Sequence, residues 1–264
     1  MNLKDEFKKL ITELATKFTL PPISNIFFPP FYIGSQPKDA QFMAICLESG
    51  AAGVSFILLP DEKMEEYTDL HPSDFVGKNP CEFALDFGND DPIKEMISLA
   101  SINAICQHVI RETNFAVDSA TDSLGLVSVS PGDRIGMVGL FSGLIEPIKK
   151  AGAELLVIEK QAQFIKEFPH LPITLDVTKL STCNKVLCTS TTISNNSLED
   201  AFVSIIGPTA GYFPDPLFAR GVDVVGGRVV KNGELFLQLL AEGKRWGDAT
   251  QRICFQKATY AGII

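Results

Sequence analysis

Residues 134–159 read RIGMVGLFSGLIEPIKKAGAELLVIE and indicate how the C-terminal half of the chain folds. The run Arg134–Val138 is short and apolar, as in a buried strand, and the glycine-rich turn Gly139–Gly143 follows it. An amphipathic segment then leads to a second apolar run, Glu154–Ile158, which ends at the acidic residue Glu159. This strand–helix–strand order predicts the first unit of a doubly wound parallel sheet.

Four further apolar segments follow this unit, and each ends near a glycine, threonine or proline. These segments are Ile173–Val177, Lys185–Cys188, Phe202–Ile206 and Val222–Val225. Helices are expected from Asn196, where Glu199 completes a capping box, and from Asn232 before Glu234–Glu242. The repeated alternation predicts a Rossmann-like, mostly parallel sheet, so the expected fold class is α/β.

The N-terminal half has a different pattern, typical of a small α+β unit. Apolar residues recur at helical spacing over residues 3–18, which predicts an amphipathic helix. Two apolar runs joined by a short turn with Gly50 predict a β-hairpin. The runs are Gln41–Leu47 and Gly53–Leu59. A second helix is expected over residues 92–111, with Asp90 or Asp91 as its N-cap.

Charge is distributed unevenly along the chain, which suggests a division into two domains. Before Ser130 there are 9 basic and 19 acidic residues, and after it 14 basic and 13 acidic residues. The turn Ser130-Pro131-Gly132-Asp133 separates two apolar runs at the same place. We expect an α+β domain over residues 1–123 and a Rossmann-like domain over residues 124–264, with Asp133 in the turn that leads into its first strand.

Composition narrows the function classes for this 264-residue chain. The formal charge is -9, and no stretch forms a basic stripe, which argues against nucleic acid as a partner. No run of 18 apolar residues is present, so membrane insertion is not expected. The six cysteines form no CxxC pair, as is usual for reduced thiols, and we expect a cytoplasmic protein.

Metal-ligand and catalytic motifs are absent from the sequence. His71, His108 and His170 share no ligand spacing, so a transition-metal site built from protein side chains alone is not expected. His108 and Asn103 lie on the second helix, where a core histidine and an amide bonded to a neighbouring turn are the simpler interpretations. No GxSxG, HExxH or P-loop motif occurs, so catalysis cannot be derived from motifs.

Three segments follow predicted strands at the edge of the sheet where ligands bind in open α/β folds. In the first, Gly139–Gly143, Glu159 lies twenty residues after Gly139, the offset of an acid that binds a ribose. The pattern departs from GxGxxG, because Gly136 lies inside the strand. A nucleotide site and a plain turn with a solvated Glu159 both remain open.

The second segment is Thr189–Asn196, in which seven of eight residues carry a hydroxyl or a side-chain amide. Either these groups satisfy their own backbone, or they form a surface that hydrogen-bonds a polar ligand. The third segment, Gly207–Gly211, contains a proline and two glycines. It is either a rigid turn or part of the same ligand-binding edge.

Several strings resemble the putative heavy-metal chelation family, a prokaryotic family of unknown biochemical function. TSTTISNNSLED (189–200), GPTAGYFPDPLFARGVDVV (207–225) and residues 137–159 resemble its C-terminal domain. SLASINA (98–104) and FVGKNPCEFA (75–84) resemble the domain that precedes it. The resemblance touches both halves of the chain and covers most of its length.

This resemblance implies an N-terminal domain similar to that of enolase, a Rossmann-like C-terminal domain and a site in the cleft between them. It also implies handling of a metal or a metal-organic complex. Carried over residue by residue, it indicates a set of ligand-binding residues. They are Asn103, Gly139, Phe141, Ser142, Glu159, Thr191, Thr192, Asn195, Pro208 and Thr209.

Two hypotheses of different class follow. In the first, the protein binds or transports a small polar ligand, such as a metal-organic complex, that Thr191, Thr192 and Asn195 grip by hydrogen bonds while Phe141 covers an apolar face. In the second, it is an enzyme that acts on such a ligand or on a nucleotide-like cofactor, with Glu159 orienting a ribose or serving as acid or base. Catalytic residues, the metal and a homo-oligomeric state stay open.

Overall fold

The computed structural model describes residues 2–30, 42–57, 59–118, 129–160, 162–190 and 202–263. The N-terminal half contains α1 (Leu3–Lys17), β1 (Ile23–Phe27), β2 (Phe42–Leu47), β3 (Ala52–Phe56), α2 (Met64–Thr68), α3 (Pro80–Ala84) and α4 (Pro92–Glu112). The C-terminal half contains β4 (Arg134–Val138), α5 (Ser142–Lys150), β5 (Glu154–Ile158), α6 (Gln163–Glu167), β6 (Ile173–Thr174), β7 (Lys185–Thr189), β8 (Phe202–Ile206), α7 (Asp215–Phe218), β9 (Val224–Val230), α8 (Gly233–Ala241) and β10 (Thr250–Gln256).

A three-stranded antiparallel sheet and its helices form the N-terminal half. The strand order is β1-β2-β3, and the β2–β3 hairpin turns at Gly50, whose φ is +76°. Asn2 caps α1 through a capping box with Asp5, and the Asp91 side chain caps α4 by accepting from the Ile93 N–H. The expected hairpin and both expected helices are therefore present.

The C-terminal half is a seven-stranded sheet in the order β10-β9-β8-β7-β4-β5-β6. All neighbouring pairs are parallel except β9–β10, which is antiparallel. Counted from β4, the strand order is the 3-2-1-4-5-6 of dinucleotide-binding sheets with one antiparallel strand added at the edge. The expected α/β class with a mostly parallel sheet is confirmed.

Three strands differ from their predicted bounds by more than one residue. The second strand of the hairpin, expected over Gly53–Leu59, extends only over Ala52–Phe56. Ile173–Val177 forms a strand only at Ile173–Thr174, because the Asp176 side chain accepts from the Thr178 N–H and turns the chain into a 3-10 helix. The strand expected at Val222–Val225 begins at Val224 and continues to Val230, because β10 pairs with its second half. Asn232 caps α8 as expected. The helix expected from Asn196 lies outside the described residues.

Helix α4 is buried between the two sheets. Met96, Ala100 and Ala104 pack against the small sheet, whereas Ile102 and Ile105 belong to a core cluster that reaches the large sheet. A helix with apolar residues on opposite faces has little amphipathic character and is typical of a buried position. The two halves therefore share α4, which the sequence did not reveal.

Strand β2 also contacts both halves. Met43, Ile45 and Leu47 face the α4 side, while Phe42 on the opposite face packs with Trp246 of the C-terminal half, with ring centroids 5.7 Å apart. The boundary expected near residue 123 falls among residues that are not described, so the division into two domains stays a prediction. Asp133 lies in the turn before β4, as the sequence predicted.

None of the helices within the described ranges combines the length and the apolar character that a membrane span requires.

All six cysteines are free thiols, and five of them are buried. The five buried cysteines pack as small apolar core residues.

Candidate functional site

The strand order reverses between β4 and β7, which are parallel neighbours, so the carboxyl ends of these two strands lie side by side. Gly139 ends β4 with a φ of +84°, and its N–H donates to the Ile158 carbonyl at 2.9 Å. A Cβ on Gly139 would lie 2.9 Å from Cγ2 of Thr189, which ends β7. Open α/β sheets bind ligands at this reversal point, so it defines the candidate site.

Helix α5 begins at the reversal point without a capping side chain. Its N-cap is the half-buried Phe141, whose N–H is directed at the Met137 sulfur at 3.4 Å. Ser142 and Gly143 are exposed, and no acceptor among the described residues takes their N–H groups. Free N–H groups at the positive end of a helix dipole bind the oxygen atoms of anionic ligands.

Nothing in the described part of the structure requires residue 143 to be a glycine. Its φ is not positive, and a Cβ placed on it would meet nothing within 4 Å. Glycine in the first turn of a helix costs stability relative to alanine. A glycine at this position leaves room for a bound group to approach the backbone closely.

Glu159 follows β5 and holds the turn after β4. Its Oε1 accepts from the Leu140 N–H at 2.6 Å, and its Oε2 accepts from the Lys160 N–H at 3.3 Å. Glu159 is half-buried, so a nucleotide site and a plain turn with a solvated Glu159 both remain open. A carboxylate can accept further hydrogen bonds, so Glu159 retains capacity for a ligand hydroxyl.

The loop Gly207–Gly211 is mostly buried, in contrast to the turn after β4. Thr209 is 1% exposed, and its hydroxyl lies 2.5 Å from the hydroxyl of Ser190, which is also buried. A Cβ on Gly207 would overlap the Ser190 side chain. Close packing against Ser190 therefore explains why residue 207 is a glycine. The Thr209 side chain is occupied by its contact with Ser190, whereas Pro208 is half-buried.

Asn103 lies on α4 with no exposed surface. Its Nδ2 donates to two backbone carbonyls at 2.9 Å, those of Val54 in β3 and of Thr209. Its Oδ1 has no hydrogen-bond partner among the described residues and faces Gly211, where a Cβ would lie 3.4 Å from Oδ1 and 2.7 Å from the Arg228 carbonyl. The structure thus joins Asn103 to the loop after β8 and to the small sheet.

Gln107 and Arg111 follow Asn103 along one side of α4, and the three residues form a polar stripe on this helix. Gln107 donates to the Arg228 carbonyl at 3.3 Å and accepts from the Val230 N–H at 2.9 Å, and Arg111 donates to the Val230 carbonyl at 2.8 Å. Pairing of β9 with β8 stops at Gly226, so these side chains satisfy backbone groups that the sheet leaves open. The signal in the sequence was the recurrence of polar residues at every fourth position, Asn103, Gln107 and Arg111, on an apolar helix.

Direct metal ligation finds no support within the described ranges, where no three His, Cys, Asp or Glu side chains are placed to hold an ion. Burial raises the pKa of the Cys106 and Cys188 thiols to about 12, so both are protonated at neutral pH. His108 is buried, and its Nε2 lies 3.1 Å from the Thr19 carbonyl. These residues have core roles.

The site residues implied by the resemblance fall into two described groups and one that is not described. Gly139, Phe141, Ser142 and Glu159 lie together around the turn after β4. Asn103, Pro208 and Thr209 lie together around the loop after β8. Thr191, Thr192 and Asn195 lie outside the described residues, in the segment that follows Ser190 at the end of β7.

Residues 122–259 match the model of a family described as putative heavy-metal chelation. No curated protein matches the chain. A protein of unknown function from Pyrococcus horikoshii, of the same family, is similar over 97% of this chain and 100% of its own, with a TM-score of 0.68 and 19% identity. One from Desulfitobacterium hafniense is similar over 96% and 98%, with a TM-score of 0.64 and 14% identity. At these identities the likeness concerns the fold.

Proposed function

The chain belongs to the putative heavy-metal chelation family, and we propose that it binds a small polar, metal-bearing ligand at the carboxyl edge of the seven-stranded sheet. The observation that carries this proposal is the open start of α5 at the strand-order reversal. There Ser142 and Gly143 present backbone donors that no described residue uses, and Gly143 leaves room for a close approach.

The chemistry of this edge suits an organic shell better than a bare ion. Backbone N–H groups bind carboxylate or phosphate oxygens, whereas a bare transition metal needs about four converging N, S or O ligands. We therefore infer that the metal arrives already coordinated by an organic anion. Thr191, Thr192 and Asn195 remain the predicted hydrogen-bonding partners, and Phe141 the predicted apolar contact.

Native mass spectrometry with elemental analysis tests this proposal on protein purified anaerobically from its own host. We expect a bound organic mass together with a metal. Replacing Gly143 by alanine should lower its retention about tenfold, because the added methyl group keeps the ligand from the N–H groups. Gly247→Ala is the matched control, since Gly247 is likewise an exposed glycine in the first turn of a helix, here the 3-10 helix Gly247–Ala249, lacks a positive φ and has open space at its Cβ.

Two results would contradict the proposal. One is a wild-type protein that carries no additional mass. The other is submicromolar binding of Ni²⁺, Co²⁺ or Zn²⁺ by the dialysed protein, unchanged by Gly143→Ala and by joint replacement of Thr191, Thr192 and Asn195 with alanine. That second result would indicate ligation by the protein's own side chains.

A second candidate function is an enzyme that uses a nucleotide-like cofactor. Glu159 favours it, because this acid follows β5, the second strand of the dinucleotide-type order, and lies beside the turn after β4. Calorimetric titration of the protein with NAD⁺ and with ATP measures whether either cofactor binds, and so separates the two candidates. Binding that Glu159→Gln weakens would favour the enzyme, and absence of binding would favour the metal-organic ligand.

The same proposal names the partner class and the compartment. A net charge of -9 supports a small-molecule partner and not nucleic acid. Six free thiols support a reducing compartment, so we infer that the protein acts in the cytoplasm. Analytical ultracentrifugation of the purified protein measures whether it forms a homo-oligomer.

A further inference from the structure

We propose that Asn103 is a positioning residue for the candidate site, acting through a buried chain of hydrogen bonds that ends beside Gly139. The inference rests on the proposed function, because the site that Asn103 positions is the one proposed above. It assigns Asn103 no contact with a ligand. This differs from the role that the resemblance implies for it.

The first link joins the small sheet to the loop after β8. Asn103 donates one amide hydrogen to the Val54 carbonyl and the other to the Thr209 carbonyl, both at 2.9 Å. Both bonds are fully buried, where loss of a donor leaves a carbonyl without water to replace it. The position of Thr209 is therefore set from α4.

The second link passes from Thr209 to the end of β7. The Thr209 hydroxyl lies 2.5 Å from the Ser190 hydroxyl, and the Ser190 N–H donates to the Ile206 carbonyl at 3.1 Å. Gly207 lacks the Cβ that would exclude the Ser190 side chain. A buried hydroxyl pair of this kind fixes both side chains, since neither can exchange its partner for water.

The third link reaches the open turn. Thr189 precedes Ser190, and its Cγ2 occupies the space beside Gly139 where a Cβ would lie at 2.9 Å. A shift of Ser190 moves Thr189, and Thr189 packs against the residue from which the Gly139–Gly143 turn begins. The chain thus connects α4 to the backbone donors at the start of α5.

Gln107 supplies a natural comparison within the same stripe. It lies one turn after Asn103, is 2% exposed and also ties α4 to backbone groups of the large sheet. Its hydrogen bonds to described residues join it to the Arg228 carbonyl and the Val230 N–H in β9, and neither residue belongs to the series of hydrogen bonds described above. Loss of Gln107 should therefore destabilise the fold without loosening Ser190.

Amide hydrogen exchange, measured residue by residue on the full-length protein without ligand, tests this series of hydrogen bonds. Thr209→Val removes the hydroxyl and keeps the carbonyl that Asn103 binds, so exchange at the Ser190 amide should accelerate at least about tenfold. Thr209→Ser restores a hydroxyl and should return that rate to within about threefold of wild type. The Ile253 amide in β10 should keep its wild-type rate in both variants.

Asn103→Ala should accelerate exchange at both the Ser190 and Ala210 amides, whereas Gln107→Ala should leave them within about threefold of wild type. Uniform acceleration at every amide, or equal effects of the two replacements, would overturn the positioning role. If Asn103→Ala does not fold, Asn103→Leu, which is close to asparagine in size but lacks both amide hydrogens, should accelerate exchange at the same two amides. Failure of the proposed function would instead show as a wild-type protein without bound mass, which leaves these exchange rates unaffected.

Discussion

An acidic residue lies at each end of the parallel strands of the seven-stranded sheet, Asp133 at the amino edge and Glu159 at the carboxyl edge. Both accept hydrogen bonds from neighbouring groups, but the donors around them differ. At the amino edge, Asp133 accepts from the Lys185 ammonium at 2.7 Å, the Asn184 amide at 2.8 Å and the Ser130 N–H at 2.7 Å. At the carboxyl edge, Glu159 accepts from two backbone N–H groups, of which one is at 3.3 Å.

The difference teaches which edge serves stability and which can serve binding. At the amino edge the donors around Asp133 meet an acceptor within the fold, and Asp133 is 9% exposed. At the carboxyl edge, Ser142 and Gly143 present donors that no described residue uses. Polar groups with partners hold the sheet, and polar groups without them are available to a ligand.

The largest effect is expected from Asp133→Ala. Loss of the carboxylate that three groups donate to should lower the free energy of unfolding by about 2 kcal/mol. Urea denaturation at pH 7 measures it. Glu154→Ala is the control, since Glu154 is a well-exposed acid at the same edge and should change stability by less than about 0.5 kcal/mol. Equal losses in the two variants would remove the distinction between the acids.

The ionisation of Asp133 should make the stability of the protein depend on pH in the acidic range. Hydrogen bonds from Lys185, Asn184 and Ser130 lower the pKa of Asp133 to about 2. Because the unfolded value is about 3.9, this contribution is present above that pH and is lost as the pH falls towards 2. The stability difference between wild type and Asp133→Asn should shrink over this window in urea titrations. A constant difference from pH 6 to pH 2.5 would contradict the assignment.

A smaller effect is expected at Glu159. Glu159→Ala removes the acceptor of the Leu140 N–H and should cost about 1 kcal/mol. Glu159→Gln keeps an oxygen acceptor and should stay within about 0.5 kcal/mol of wild type. Thermal unfolding of both variants measures this. A loss at Glu159→Ala as large as at Asp133→Ala would show that the two edges are equally important for stability.

The smallest effect is expected from Gly143→Ala, and it has the opposite sign. Alanine is the better residue in an exposed helix turn, and its Cβ meets no atom, so stability should rise by about 0.5 kcal/mol. Chemical denaturation beside Gly247→Ala measures the gain. A loss of stability would mean that Gly143 is required by the fold, and its use as evidence for a ligand would end.

Local patterns in the sequence were sufficient for much of the fold. The apolar runs Arg134–Val138 and Glu154–Ile158 became β4 and β5 with unchanged bounds, and the hairpin turned at Gly50. Helix α4 began and ended within a residue of its expected limits. These features depend on periodicity and caps within a few residues, which a sequence displays directly.

Contacts between distant residues decided the rest. β10 and the second half of β9 were not predicted, because each needs the other as its partner. The sequence also left Asn103 with two interpretations, and its pairing with Thr209 spans 106 positions. The turn after β4 could be named from its glycines alone. Which of its donors stay open depended on where Glu159, Thr189 and α5 come together in space, since only packing determines which polar groups find a partner.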